Sequence, residues 1–167
     1  MLIRGRVWQF GDNVNTDVIA PTVYHQLPMD EFKMHAMEVI RPEFALSVQP
    51  GDIIGAGINF GCGSSREVAP AALKALGVGA VVAESFGRIF FRNAIAIGLP
   101  IISCPQVSAS FNDGDEMEIN LDTAAVTNVT RGKTLRAVPL PGEMLEVLVK
   151  GGIAPLLKEI AKRGAQV

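Results

Sequence analysis

The sequence predicts an α/β fold with a central parallel sheet segment and an antiparallel C-terminal part. Three observations point there. Through the middle of the chain, short continuous apolar runs alternate with segments of helical period, as parallel strands joined by crossover helices do. After Cys104-Pro105 the pattern turns to alternating strands split by turn dipeptides. The 167 residues, 49% hydrophobic and 19% charged, suit one globular domain, 1–167, and are too apolar for a disordered chain.

The elements follow in order. Ile3 to Phe10 (IRGRVWQF) alternates apolar and polar residues and reads as a half-buried strand, stopped by the turn residues Gly11-Asp12-Asn13. Residues 14–23 show no clear period. Pro28 to Ile40 reads as one helix, with Pro at its start and Met29, Phe32, Ala36, Met37 and Ile40 along one face. Pro42 to Val48 adds a short helical turn. Asp52 to Ala56 (DIIGA) is a strand and Gly57 to Ser65 a loop. Glu67 to Leu76 is a helix that tolerates Pro70 in its first turn and stops at Gly77. Ala80 to Ala83 (AVVA) has the unbroken apolarity of a strand covered on both faces. A helix from Phe86 to Ile97 ends at Gly98, and Leu99 to Ser103 is the next strand. Glu116 to Leu121, Ala125 to Val129 and Lys133 to Val138 alternate, with turns at Asp113-Gly114 and Arg131-Gly132. Met144 to Val149 and Ile153 to Ala161 read as closing helices.

Charge and composition narrow the function. Fifteen Lys+Arg against seventeen Asp+Glu give a net charge of -2, without the basic footprint of a nucleic-acid binder. Cys62 and Cys104 are the only cysteines, so there is no disulfide framework and no paired-cysteine metal motif. His25 and His35 have no Cys or acid at ligand spacing and do not make a metal site. No signal peptide is visible at the N-terminus, and no apolar run reaches the ~20 residues that span a bilayer. The expectation is a soluble, cytoplasmic protein without nucleic-acid or membrane partners.

Chemistry concentrates in residues 59–70, NFGCGSSREVAP, between a strand and a helix. Gly61 and Gly63 let the backbone bend and approach a ligand. Ser64, Ser65 and Arg66 fall where the helix should begin, with free N–H groups and the positive dipole end. Arg66 adds a planar fork for a carboxylate. Together they form a candidate anion site with hydroxyls for hydrogen bonding or proton transfer. A plainer role is open: Ser64 caps the helix, Arg66 pairs with a surface acid, and the glycines make a turn. The loop matches neither the phosphate-loop motif nor the dinucleotide fingerprint, since Arg66 stands where the third glycine would be. A second polar cluster, GDNVNTD, contains Thr16 and ends at Asp17. It is a turn or cap unless the fold carries it to Ser64. Arg88 and Arg92, four residues apart, read as a solvated or ion-paired face.

Three motifs in register, GDNVNTDVIAP, NFGCGSSREVAP and AVVAESFGRIFFRNAIAIGLP, resemble the small subunit of the isopropylmalate dehydratase and homoaconitase group, the two-subunit branch of the aconitase superfamily. The likeness runs from about Val7 to Cys104. The resemblance implies a swivelling β/β/α three-layer domain acting as a lid on a separate large subunit. That partner would carry a [4Fe–4S] cluster, with none bound by this chain alone. The reaction implied is hydro-lyase isomerisation of a small carboxylate substrate, in which a hydroxyl moves between neighbouring carbons by dehydration and rehydration.

The resemblance makes Ser64 the candidate base and Asp17 its catalytic companion. It assigns Ser65, Arg66, Gly63 and Thr16 to substrate binding. Tyr24, His25 and Gln26 fall in a segment that selects the substrate's variable group. Homoaconitase-type members tend to carry Arg there, so its absence favours an apolar-substituted malate, 3-isopropylmalate first, as in leucine biosynthesis. A 2,3-dimethylmalate or homoaconitate substrate, or a stand-alone carboxylate-binding domain, are the alternatives. Val68 departs from the family's common His. The segment 22–37 is expected to be mobile without its partner, with Val23, Leu27 and Met29 exposed.

Overall fold

The chain is described by a computed structural model that covers residues 1–64 and 66–164. Seven strands form one sheet in the order β4-β3-β2-β1-β5-β6-β7. They are β1 (Leu2–Gln9), β2 (Ile53–Ala56), β3 (Ala80–Ala83), β4 (Ile101–Ser103), β5 (Glu116–Asn120), β6 (Ala125–Asn128) and β7 (Lys133–Arg136). The helices are α1 (Thr16–Ile19), α2 (Met29–Phe32), α3 (Phe44–Ser47), α4 (Val68–Ala75), α5 (Arg88–Ala96), α6 (Val107–Ser110), α7 (Gly142–Val149) and α8 (Ile153–Gly164).

The expected division into parallel and antiparallel parts is present, and one strand carries both. Residues Val7 to Gln9 of β1 pair parallel with Ile53 to Gly55, while Leu2 to Arg6 pair antiparallel with Asn120 to Glu116. On the parallel side, every residue of β2 and β3 is buried, which is why these strands read as unbroken apolar runs. On the antiparallel side, β5 buries Met117 and Ile119 and turns the residues between them outward. Trp8 fills the junction. Its indole N–H donates to Asp52 Oδ2 at 2.8 Å, and its ring meets Phe44 edge-on at 5.2 Å.

The reading of residues 28–40 as one helix is corrected. The structure breaks it into α2, a 3-10 turn over Lys33–His35 and a series of turns. At Met37 the backbone swings to φ 64°, its N–H donates to the Ile19 carbonyl, and its side chain is fully buried. Core packing of one side chain thus outweighs the helical period. The segment expected to move as a unit is also divided. Val23 and Met29 are exposed and Leu27 is half-buried, but Phe32, Ala36 and Met37 belong to the core. Helices α1 and α6 were not legible, because one turn of helix has no period to detect. Among the described residues no helix is long and apolar enough to cross a membrane.

Candidate functional site

Strands β1 and β2 run parallel, so the segments that follow them leave the same sheet edge side by side. The register does not stop at the strand ends. Gly57 N–H donates to the Gly11 carbonyl at 3.2 Å, Asn13 to Ile58 at 2.8 Å, Gly61 to Val14 at 2.7 Å and Thr16 to Cys62 at 2.9 Å. Side chains add to the zipper, with Asp12 Oδ1 accepting from Ile58 N–H and Asn13 Oδ1 from the Asn59 amide. Beyond β3, Phe60 pairs with Phe86, and Ser85 Oγ accepts from Asn59 N–H. The glycine loop is therefore held between the residues that follow β1 and β3, outside the carboxyl ends of parallel strands, where open α/β sheets place their ligands.

That zipper delivers Asp17 to Arg66. Asn15 caps α1 by accepting from Val18 N–H at 2.9 Å, which sets Asp17 in the helix's first turn. Asp17 Oδ1 lies 2.6 Å from an Arg66 guanidinium nitrogen. Arg66 Nε donates to Ser64 Oγ at 2.8 Å. Thr22 completes the cluster, donating to Asp17 Oδ1 at 3.0 Å while its oxygen accepts from Arg66. The Asp17 side chain is 55% exposed and that of Arg66 20%, so the carboxylate, hydroxyl and guanidinium form an open cradle. A cleft of about 540 Å³, lined by residues 9–14 with Val18, Ile40 and Arg41, contains none of the four.

The two readings of the loop can now be separated. Ser64 does not cap α4, which begins at Val68 with no side-chain cap. Arg66 does pair with an acid, and that acid is Asp17. Gly63 has φ 93°, a backbone shape that disfavours any side chain. Thr16 is buried, and its hydroxyl donates to the Ser64 carbonyl at 3.1 Å, so it braces the loop from behind. Ser65, the second hydroxyl of the sequence reading, lies outside the described residues. Tyr24 is half-buried, and His25 and Gln26 are exposed. Thr22 was missed, because residues 14–23 lack a period and only the fold brings that hydroxyl to Arg66. Val68 packs against the core, away from any polar role. Arg88 and Arg92 form no ion pair among the described residues and line a cleft with Ser85, Phe91 and Met144; Cys62 is a free, half-buried thiol.

The four groups can bind a carboxylate and move a proton. Arg66 offers the donors, Ser64 a hydroxyl held on a guanidinium, and Asp17 an exposed acceptor. Among the described residues, no three His, Cys, Asp or Glu side chains gather as a metal ion would require.

Known proteins place the chain. Residues 12–106 match the family model described as the aconitase C-terminal domain. The isopropylmalate/citramalate isomerase small subunit of Methanocaldococcus jannaschii is 50% identical over 160 residues, 95% of each chain. The methanogen homoaconitase small subunit of Methanothermobacter thermautotrophicus is 54% identical over 153 residues, covering 91% of this chain and 88% of that one. A crystal structure of 3-isopropylmalate dehydratase from Methanocaldococcus jannaschii superposes with a TM-score of 0.93 at 41% identity, covering 99% of both chains.

Proposed function

The chain belongs to the aconitase C-terminal domain family, and from that membership we propose that it is the small subunit of a hydro-lyase of the 3-isopropylmalate dehydratase type, completed by a large subunit. One observation carries the proposal: Asp17 and Ser64, far apart in sequence, meet on the Arg66 guanidinium. We read residues 1–167 as one such domain. Its cradle is half a site, open on the side a partner would cover.

The chain's two cysteines, Cys62 and Cys104, are too few for the thiolate set of an iron–sulfur cluster, so we place the [4Fe–4S] cluster on the large subunit, where it would supply Lewis-acid chemistry at the leaving hydroxyl. This chain's part is proton transfer and substrate orientation. An unassisted serine hydroxyl is too weakly acidic to serve as a base. The Arg66 Nε–H aimed at Ser64 Oγ stabilises the alkoxide that removes the substrate's C–H proton. The C–H electron pair becomes the double bond, the neighbouring hydroxyl leaves, and Ser64 carries the proton until rehydration returns it. A substrate carboxylate competes with Asp17 for Arg66, which frees Asp17 to accept or relay protons. Gly63 lets the backbone approach that carboxylate, Thr16 fixes the loop, and Ser65 is assigned as a further substrate contact.

The turn containing Tyr24, His25 and Gln26 has no arginine for an additional carboxylate, which favours 3-isopropylmalate. Relatives of similar identity carry isopropylmalate, citramalate and homoaconitase names, so a substrate panel decides the point. Reconstituted with its large subunit, the wild-type chain should dehydrate 3-isopropylmalate in preference to homocitrate-type and 2,3-dimethylmalate substrates. Ser64→Ala should lower kcat by about 10²–10⁴-fold, the usual contribution of a positioned base, with an unchanged melting temperature because Ser64 is exposed. Full activity in that variant would remove Ser64 as the base. Tight carboxylate binding by the isolated chain, with no large subunit captured, would favour a stand-alone binding domain.

A further inference from the structure

Two residues beyond Thr22, the same exposed 3-10 turn (Thr22–Tyr24) carries the chain's single tyrosine. The Tyr24 ring lies flat on the His35 imidazole, with centroids 3.6 Å apart and planes inclined by 11°. His35 Nδ1 is 2.8 Å from Glu38 Oε2. The Glu38 carboxylate beside it, together with burial, raises the Tyr24 phenol above its ordinary range. The two ends of this assembly differ in footing. His35 closes the turn that leads into Ala36 and Met37, both in the core, and Met37 is tied to the end of α1. The Thr22–Tyr24 turn has few ties besides the partial packing of Tyr24 and the neighbouring Leu27 against the core. Val23 is 81% exposed, and the backbone bonds of residues 24, 25 and 27 reach only residues 21, 22 and 24. Outside the stack, the adjoining His25 contributes its ring contacts with the Ala20 carbonyl and Phe32.

We propose that His35 is a positioning residue: by clamping Tyr24 to the core it holds the Thr22 hydroxyl against Asp17 and Arg66, and so sets the affinity of the cradle for its carboxylate substrate. The proposal rests on the dehydratase reading for its substrate, but the clamp itself can be observed without activity. In the full-length chain, His35→Ala should move the ring-proton NMR signals of Tyr24, and with them those of the Thr22 methyl and the Arg66 Nε–H. His35→Phe, which keeps a flat ring, should restore all three. Movement of Tyr24 alone, with Thr22 and Arg66 unchanged, would overturn the proposal.

In the reconstituted complex, His35→Ala should raise KM by about three- to tenfold, the worth of one aromatic stack, with kcat within about twofold. His35→Phe should return KM to the wild-type value. An unchanged KM in His35→Ala would equally overturn the proposal. A wild-type complex inactive on every substrate would count against the dehydratase reading, while the NMR signals would still decide the clamp.

Discussion

At Gly61 the backbone takes φ 71°, and the place where a Cβ would stand is filled by the Phe90 ring. Gly132 has nearly the same backbone, φ 65°, with nothing within 4 Å of its Cβ position. The pair separates two costs that one glycine substitution confounds. Gly132→Ala should lose only the left-handed backbone penalty, about 1–2 kcal/mol. Gly61→Ala adds overpacking against a buried ring and should lose about 2–4 kcal/mol, read as a lower denaturant midpoint. Equal losses would show that Phe90 yields without cost. The sequence marks Gly61 as a bend, but the ring that occupies its face comes from α5 and could not be read locally. The same limit applies to Asp17. GDNVNTD reads as a turn until the β1–β2 register brings its carboxylate to Arg66, and a parallel register is not encoded in either strand alone.

Asp115 shows what the antiparallel elements depend on. Its side chain is 9% exposed. Burial raises its pKa, but Asn112 N–H, the Asn128 amide and Arg131 together outweigh burial and hold it below the ordinary value. The Asn128 amide, itself fully buried on β6, donates to Asp115 and to the Ser110 carbonyl at the end of α6. One carboxylate therefore ties β5, β6 and α6. Asp115→Ala leaves the Asn112 N–H and one hydrogen of the Asn128 amide without their acceptor and should cost about 2–3 kcal/mol in thermal or chemical unfolding. A cost under half that would mean water replaces the carboxylate. None of this network was legible, since its members are single polar residues scattered over separate turns and the end of a strand. The strands themselves were legible: β5 alternates because one face is buried, and β3 is unbroken because both are. The long helix over residues 28–40 failed for the converse reason. Met29, Phe32, Ala36 and Met37 do share an apolar pattern, but Met37 enters the core by a turn rather than along a helix face.

Across the whole molecule, the parallel and antiparallel halves of the sheet meet on β1, and ion pairs cluster at that seam. Arg4 grips Glu116 with two hydrogen bonds, at 2.7 and 2.9 Å, between β1 and β5. Arg41 does the same to Asp113, at 2.9 and 2.6 Å, while its guanidinium lies 4.8 Å over the Trp8 ring. Arg131 reaches Asp115 on the same strand entrance. The Arg41 hydrogen bond lowers Asp113, the Arg4 hydrogen bond lowers Glu116, and the Asp115 network lowers that carboxyl despite its burial. A carboxylate with a lowered folded pKa adds stability that is complete above its unfolded value and is lost as pH falls through the folded one. The ordinary values here are 3.8 for the two aspartates and 4.5 for Glu116. The loss therefore begins as pH drops to about 4.5, first at Glu116 and then at the two aspartates, and concentrates where these acids sit. Strands β3 and β4 contain no acidic side chain. Amide hydrogen exchange followed from pH 6 to 3 should show β5, which begins at Glu116, and β6, tied to Asp115 through Asn128, losing protection before β3 and β4. High salt at pH 6 should weaken the same strands only slightly, because the Arg4–Glu116 pair is about half exposed and already screened. Simultaneous loss of protection across all seven strands would place the acid sensitivity elsewhere and make the seam a single cooperative unit.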